Sequence, residues 1–231
     1  MQETMTTADQ QILRTGGLAG IIGSIVFICL FPIVALFVGD DPMTLIGWVE
    51  RFESIRYGRV LENGGYILAL TLWMAYFMAL HRAARLGHAG FALFGSGLCI
   101  VGLGVMAAGA LTHIAVTPLH DIYYAEATTS ADRAALVLMW QATWGILDAL
   151  LIAGFALISV GLTLLGLAMM RSPYFGKWMS RITLGIGMVS IVAVMVLLVF
   201  PQSPIAVVIV FGLIFLNLAT GWRLTRLAQH T

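Results

Sequence analysis

Six long apolar stretches dominate this chain and limit what it can fold into. Each is about as long as the roughly 20 residues that an α-helix needs to cross a bilayer. Of the 231 residues, 60% are hydrophobic and only 10% are charged, so the chain has more apolar surface than a soluble core can bury. We therefore predict an all-α polytopic membrane protein, a single integral membrane domain over residues 1–231. The predicted transmembrane helices are 17–38, 64–80, 89–111, 143–170, 183–200 and 205–222.

Arginine and lysine are distributed unevenly between the predicted loops. The outer side, opposite both termini, carries Arg51, Arg56, Arg59 and Arg133, which leaves eight of the 12 basic residues on the inner side. Positive charge concentrates in cytoplasmic loops, so we predict a multi-pass inner (plasma) membrane protein with both termini cytoplasmic. Among the inner charges, Arg171, Lys177 and Arg181 are interpreted as topology determinants near anionic headgroups.

Two outer segments are patterned rather than plain connectors. Asp41, as a cap, and Pro42, at the first helical position, predict the start of an amphipathic helix between the first and second spans. Its apolar face is expected to consist of Leu45, Trp48, Val49, Phe52 and Ile55. This helix either lies on the outer membrane surface or covers the bundle. The second outer segment, 114–133, leads into a helix that is predicted to begin near Ser130, ahead of the membrane.

Asp148 is the only formal charge well inside any apolar stretch. A carboxylate at membrane depth costs roughly 2.5–3.5 kcal/mol on insertion scales, so it normally faces protein or a wet cavity and marks a candidate functional site. Helical spacing places a polar and aromatic stripe on one face of the fourth span, formed by Gln141, Trp144, Asp148, Phe155, Ser159 and Thr163. Gly145, Ala149 and Ala153 flank this stripe and are expected to admit a neighbouring helix.

These observations predict an outward-facing intramembrane pocket around Asp148. The candidate ligand-binding residues are Asp148, Trp144, Gln141, His113, Glu62 and Asn63. Two alternatives remain open at this point. Asp148 either binds a cation, a proton or a hydroxylated ligand, or it is protonated or accepts a hydrogen bond from Asn63, Tyr66 or His113 and only fastens helices together. Glu62 and Asn63 either complete the pocket or cap the second helix and meet water.

No cofactor or metal is predicted. Zinc ligation by His113, His120, Asp121 and Asp148 is chemically possible, but the spacing matches no metal-binding signature. A haem is not expected, because no histidine lies in mid-membrane. Nucleic acid is excluded as a partner, since the sequence has no basic run with interleaved aromatic residues. The expected partners are membrane lipid, a small-molecule ligand, and a second copy or another membrane protein.

Several short motifs carry a family resemblance over most of the chain from Arg14 onward. They are Arg56-Tyr57-Gly58 leading into 66–80, Gly154-Phe155-Ala156, Arg171-Ser172, Gly176-Lys177-Trp178 and Gly185-Ile186-Gly187. The pattern resembles that of bacterial membrane proteins called domain of unknown function 4386. The resemblance implies a six-helix inner-membrane protein of unassigned activity and supplies no catalytic residue.

Three functional classes fit the sequence. A protein that binds or transports a small molecule, lipid or cation accounts for Asp148, the aromatic stripe and the outer helix. A non-catalytic scaffold or accessory subunit accounts for small-residue ridges such as Gly16, Gly20 and Ser24. An intramembrane metal-dependent hydrolase using His113, His120 and Asp148 comes third, because the chain lacks a nucleophile motif. We therefore do not expect an enzyme.

Overall fold

The computed structural model describes residues 6–39, 42, 44–201 and 203–230. In these residues the regular structure is helical throughout, and six helical segments are long and apolar enough to cross a membrane, which confirms the predicted fold. The elements are α1 (Thr7–Ile33) with a π-helical turn (Val34–Val38), α2 (Leu45–Ala84), α3 (Ala89–Ile114), α4 (Val116–Tyr123), α5 (Ser130–Met169), α6 (Lys177–Val199) and α7 (Ala206–His230).

The six spanning helices form a closed ring. Each contacts the next span along the chain, in the order α1, α2, α3, α5, α6 and α7, and α7 returns to pack against α1. The short helix α4 lies at one end of the ring, which we call the loop end; it also holds the π-helical turn and the first turns of α2 and α5. The opposite end, where α1 begins and α7 ends, is called the terminal end.

The core of the ring is centred on α2. Its largest fully buried side chains include Trp73, Tyr76 and Phe77. Two of these aromatics make polar contacts with neighbouring helices: the Trp73 indole donates to Ser24 Oγ on α1 at 3.3 Å, and the Tyr76 hydroxyl pairs with Thr220 on α7. Such interhelical hydrogen bonds hold spans in register inside a membrane, where hydrophobicity alone does not favour one helix contact over another.

Glycines allow α3 and α5 to approach closely. A Cβ atom at Gly102 on α3 would lie 2.7 Å from the carbonyl oxygen of Gly154 on α5. A Cβ atom at Gly161 on α5 would lie 2.7 Å from the carbonyl oxygen of Gly95 on α3. Gly97, also on α3, has no atom within 4 Å of an added Cβ. Small residues at such crossings bring backbones together and so increase van der Waals contact.

The two predicted small-residue ridges have different surroundings. Gly16 and Gly20 pack against Ala79 and Tyr76 of α2, so the ridge on α1 lies inside the bundle and is not presented to a partner. Gly145, Ala149 and Ala153 of α5 are exposed, and no other part of the described chain covers them. The expectation that these three residues admit a neighbouring helix of the same chain was therefore wrong.

The predicted outer helix and the second span are one continuous helix, α2, of 40 residues. The intervening residues contain no proline, and an Arg59–Glu62 ion pair at 2.8 Å spans one turn, so the helix has no reason to stop there. The predicted start was also wrong: α2 begins at Leu45, and the side chain of Thr44 caps it by accepting from the backbone N–H of Gly47 at 3.1 Å. Pro42 precedes the helix. Asp41, the predicted cap, lies outside the described residues.

A second, smaller hydrophobic core covers the loop end. It joins the first turns of α2, the short helix α4 and the start of α5, and we call this assembly the cap; its buried residues are Val49, Phe52, Val116, Val137 and Trp140. Val49, Phe52 and Ile55 are buried as predicted, whereas Leu45 is 41% exposed, contrary to expectation. The apolar face of this segment therefore packs against protein. A further ion pair, Arg56 with Asp121 at 3.4 Å, joins α2 to α4.

The cap is continued by α5, which starts well ahead of the apolar stretch, as predicted. Thr129 and Asp132 form a capping box, in which each side chain accepts a backbone N–H from the other residue. At the terminal end, Thr6 and Asp9 form a similar box on α1, and Asp9 also pairs with Arg82 of α2. Each end of the ring thus has an ion pair between helices, Arg56–Asp121 at the loop end and Asp9–Arg82 at the terminal end.

Candidate functional site

A cavity of about 660 Å³ lies at the loop end between α1, α2, α3 and α5. Pockets of this size hold small-molecule ligands, and such sites are mostly apolar with a few convergent polar groups. The polar residues of its lining are Arg59, Glu62, Asn63, Tyr66, His113, Trp144 and Asp148. The apolar lining comes mainly from Phe27, Leu30, Phe31, Val34, Ala35, Val38, Leu147 and Leu151. Four helices therefore combine a polar side with an apolar side in one space.

Five of the six predicted ligand-binding residues line this cavity. They are Asp148, Trp144, His113, Glu62 and Asn63. The sixth, Gln141, is exposed and does not line it. Gln141 shares a helical stripe with Asp148, but it lies about 10 Å further along the axis, beyond Trp144. A stripe gives the direction of a side chain and not its height, so the sequence pattern could not separate these two residues.

Trp144 forms the wall between the cavity and the cap. Its ring meets the ring of Trp48 at 4.6 Å and that of His113 at 4.4 Å, both edge to face. The guanidinium carbon of Arg59 lies 5.4 Å from its ring centroid, within the range of a cation–π contact. Trp48 belongs to the hydrophobic cluster of the cap. The packing of the cap therefore fixes the indole that closes the cavity.

Arg59 and Tyr66 line the cavity, although neither is among the predicted ligand-binding residues, and Arg59 is the charged one of the two. It was counted as a charge of an outer loop, yet it is only 9% exposed and lines the cavity. Its Nη1 donates to Glu62 Oε2 at 2.8 Å. Residues 59, 62, 63 and 66 follow the spacing of one helical face, so the polar wall could have been recognised had the second span been extended toward the N-terminus.

Three polar atoms around the cavity have no hydrogen-bond partner among the described protein atoms. They are the Tyr66 hydroxyl, His113 Nε2 and Trp144 Nε1, all buried. His113 Nδ1 lies 3.3 Å from Asn63 Oδ1, and a proton on Nδ1 would satisfy this contact and leave Nε2 of the neutral ring as an acceptor. The Tyr66 hydroxyl therefore does not donate to Asp148, one of the alternatives considered above. The wall offers both donors and an acceptor to a polar group of a bound molecule.

The apolar side of the cavity is supplied by the end of α1. Pro32 lies inside this helix, and the helix continues as the π-helical turn over Val34–Val38. Proline and π-helical turns are the usual causes of bends in long helices, and π-helical turns are frequent at functional sites. The chain then leaves the helix at Gly39, whose φ of 65° favours glycine. Phe31, Val34 and Ala35 of this segment all line the cavity.

The possible metal ligands are divided between two places. His113 and Asp148 line the cavity, whereas His120 is buried in the cap beside Phe52, with Nδ1 3.5 Å from Asp121 and 3.9 Å from Glu53. Within the described part of the chain, no three His, Cys, Asp or Glu side chains are grouped closely enough to hold a metal ion. The geometry gives no support to metal-dependent hydrolysis.

In comparisons with known proteins, no family model, no curated protein and no solved structure matches this chain. The resemblance to domain of unknown function 4386 therefore stays a prediction. What the structure itself establishes is the class: a helical, multi-pass membrane protein with a mixed polar and apolar cavity at its loop end, lined by described residues.

Proposed function

We propose that this protein binds an amphipathic small molecule or lipid in the cavity at the loop end, with its cationic or hydroxylated head near Asp148. One observation carries the proposal: a cavity of about 660 Å³ has buried or half-buried ionisable residues on one side and only apolar side chains of α1 and the π-helical turn on the other. A purely apolar ligand would leave the Tyr66 hydroxyl, His113 Nε2 and Trp144 Nε1 without hydrogen-bond partners. A fully polar ligand would be placed against Phe27, Leu30 and Phe31.

The height of the polar wall supports an amphipathic ligand. Glu62, His113 and Asp148 lie about 32–36 Å from the terminal ends of α2, α3 and α5, at a rise of 1.5 Å per residue. The hydrocarbon core of a bilayer is about 30 Å thick, so the polar wall falls near its boundary at the loop end. A ligand head would lie at this boundary, and its apolar part would extend along α1 toward the membrane centre.

The charge of the lining favours a cationic head over an anionic one. With both carboxylates ionised, Glu62 and Asp148 contribute two negative charges against the single positive charge of Arg59. With neutral His113, the site is therefore formally negative. This balance does not depend on which carboxylate pairs with the guanidinium. An anionic head would meet net repulsion in a region of low dielectric constant, where charges interact strongly.

We further propose that the protein resides in the inner membrane with both termini in the cytoplasm. Eight of the 12 basic residues belong to the terminal end or its adjoining turns, and cytoplasmic loops are enriched in such charges. In this orientation the cavity is on the outward side. Its ligand would then enter from the outer leaflet or from the space beyond it.

Three ligands with matched alkyl chains and different polar head groups test the proposal. Octylamine, octanol and octanoate would be titrated into the purified protein, and thermal unfolding would be followed by circular dichroism. Octylamine should raise the melting temperature most and octanoate least. A ligand that binds only the folded state stabilises it more strongly, at equal concentration, the more tightly it binds. Equal effects of the three heads, or a preference for octanoate, would contradict the proposed polarity of the site.

The Asp148→Asn variant tests the role of the carboxylate. It keeps the size of the side chain and removes the charge, so octylamine affinity should fall about 10- to 100-fold, as expected for losing one charge-assisted hydrogen bond. Glu126→Gln, an exposed residue outside the cavity, is the matched control and should bind as the parent does. If Asp148→Asn lowered the melting temperature without changing the response to octylamine, Asp148 would be a fastener between helices and the proposal would fail.

A further inference from the structure

A second groove lies at the terminal end, between α6 and α7, far from the cavity. Its volume is about 490 Å³, and its lining is Gly176, Trp178, Met179, Ile182, Phe215, Leu216, Ala219 and Arg223. The groove is thus apolar along its length, and Arg223 is its only charged residue. The described part of the chain does not cover it. In a membrane, such a groove is open to the hydrocarbon chains of lipids.

The polar end of the groove is formed by Arg223, and two further basic residues lie on the first turns of α6. Arg223 is held in place by its Nε, which donates to the backbone oxygen of Tyr174 at 3.1 Å. Lys177 and Arg181, on the first turns of α6, are exposed on the helix that forms one wall. Within the described residues, no acidic side chain forms an ion pair with any of these three. Asp9, the acidic residue of this end among the described residues, pairs with Arg82 of α2.

Two exposed tryptophans mark the level of the membrane surface. Trp178 at the start of α6 and Trp222 near the end of α7 are 77% and 56% exposed, the position usual for aromatic residues at the headgroup level. Arg226 stacks on Trp222, with its guanidinium carbon 4.8 Å from the ring centroid. Arg223 therefore lies at the level of the lipid phosphates, and the apolar groove extends from it toward the membrane centre.

From this arrangement we infer that the groove between α6 and α7 is a selective site for an anionic phospholipid. An acyl chain lies along Ile182, Phe215 and Ala219, and the phosphate meets Arg223, while Lys177 and Arg181 add positive charge to the same end of α6. The occupant is a lipid with a net negative head, because basic pockets between spanning helices complement such heads, whereas a zwitterionic head adds its own positive charge to theirs. This site is separate from the proposed function of the cavity.

Native mass spectrometry of the intact protein can measure this selectivity. The detergent-solubilised protein would be titrated with phosphatidylglycerol and with phosphatidylcholine of identical acyl chains. The parent should retain more phosphatidylglycerol, and Arg223→Gln should reduce that preference about fivefold, the effect of one basic residue near an anionic surface. Arg223→Lys should keep it, because the charge remains.

The matched control is Arg85→Gln. Arg85 follows α2 and does not line the groove, and the substitution removes the same charge from the same end of the protein. It should leave the lipid preference unchanged. Equal retention of the two lipids by the parent, an unchanged preference in Arg223→Gln, or an equal loss in Arg85→Gln would overturn the inference.

A second variant tests the apolar part of the site. Ala219→Trp should fill the groove and remove the preference for phosphatidylglycerol, although every basic residue is retained. An Ala219→Trp protein that melts like the parent and keeps the full preference would show that charge alone attracts the lipid, and the site would be refuted. Mass spectra showing a dimer that is lost in Ala219→Trp would place a second copy of the chain in the groove and would likewise refute it.

Discussion

The Phe52→Ala protein is expected to lose about 3–5 kcal/mol of cap stability, the usual cost of truncating a buried phenylalanine. Phe52 is 3% exposed, and its ring meets those of Trp140 and His120 at 5.2 and 5.3 Å. These contacts join α2 to α5 and α4, so the loss falls on the cap and not on the core of the ring. A loosened cap also removes support from the Trp48 and Trp144 pair that closes the cavity.

Limited proteolysis detects this change. A glutamate-specific protease cleaves after Glu53 only when the start of α2 unwinds, so cleavage there reports opening of the cap. Cleavage should be much faster in Phe52→Ala. Tyr57→Ala is the matched control, because this aromatic lies on the same helix and is 85% exposed. Similar cleavage rates in the parent and in Phe52→Ala would mean that the cap is not held by its hydrophobic core.

The Gly102→Leu substitution, at the crossing of α3 and α5, is expected to cause the second large loss of folding stability. Even the Cβ atom of the new side chain would lie 2.7 Å from the carbonyl oxygen of Gly154, so the two backbones must separate. Overpacking of this kind costs about 1–3 kcal/mol or more, because rigid main chain cannot move aside as a side chain can. The ring would be weakened at the level just below the cavity, between two of the four helices that line it.

Gly97→Leu provides a control on the same helix. An added Cβ at Gly97 has no atom within 4 Å, and the position is exposed, so leucine there should be tolerated or slightly stabilising through its higher helix propensity. Thermal unfolding followed by circular dichroism distinguishes the pair. A lower melting temperature in Gly102→Leu alone supports the close crossing, and equal melting temperatures in the two variants would contradict it.

The spanning helices were predictable because the physical signal is large. Together the apolar stretches have more apolar surface than a soluble core can bury. The hydrocarbon thickness of the bilayer sets the length of each spanning helix. The ends of the helices were not predictable from this signal. The charged residues at 56–63 fit a surface loop, and they fit equally a helix with ion pairs along one face, such as Arg59–Glu62. The contact of Arg59 with Trp144 on α5, which distinguishes the two, cannot be read from the sequence.

The site was predictable residue by residue but not as a volume. Asp148 stood out because a carboxylate in an apolar stretch is costly. Trp144 shares its helical stripe, and His113, Glu62 and Asn63 belong to the outer ends of neighbouring predicted spans. The apolar side of the cavity depends on the end of α1 after Pro32, and nothing in the local pattern specified that a π-helical turn would form part of it. The prediction for Gln141 was wrong for a related reason: the position of a residue along the axis of α5 decides whether its side chain reaches the cavity.

Filling the cavity from its apolar side is the most direct test of the claim that it holds an amphipathic ligand. Ala35 is exposed and lines the cavity, whereas its neighbour Leu36 is 79% exposed and does not. Ala35→Trp should therefore abolish the rise in melting temperature caused by octylamine, and Leu36→Trp should keep it. An Ala35→Trp protein that responds to octylamine as fully as Leu36→Trp and the parent would contradict binding in the cavity.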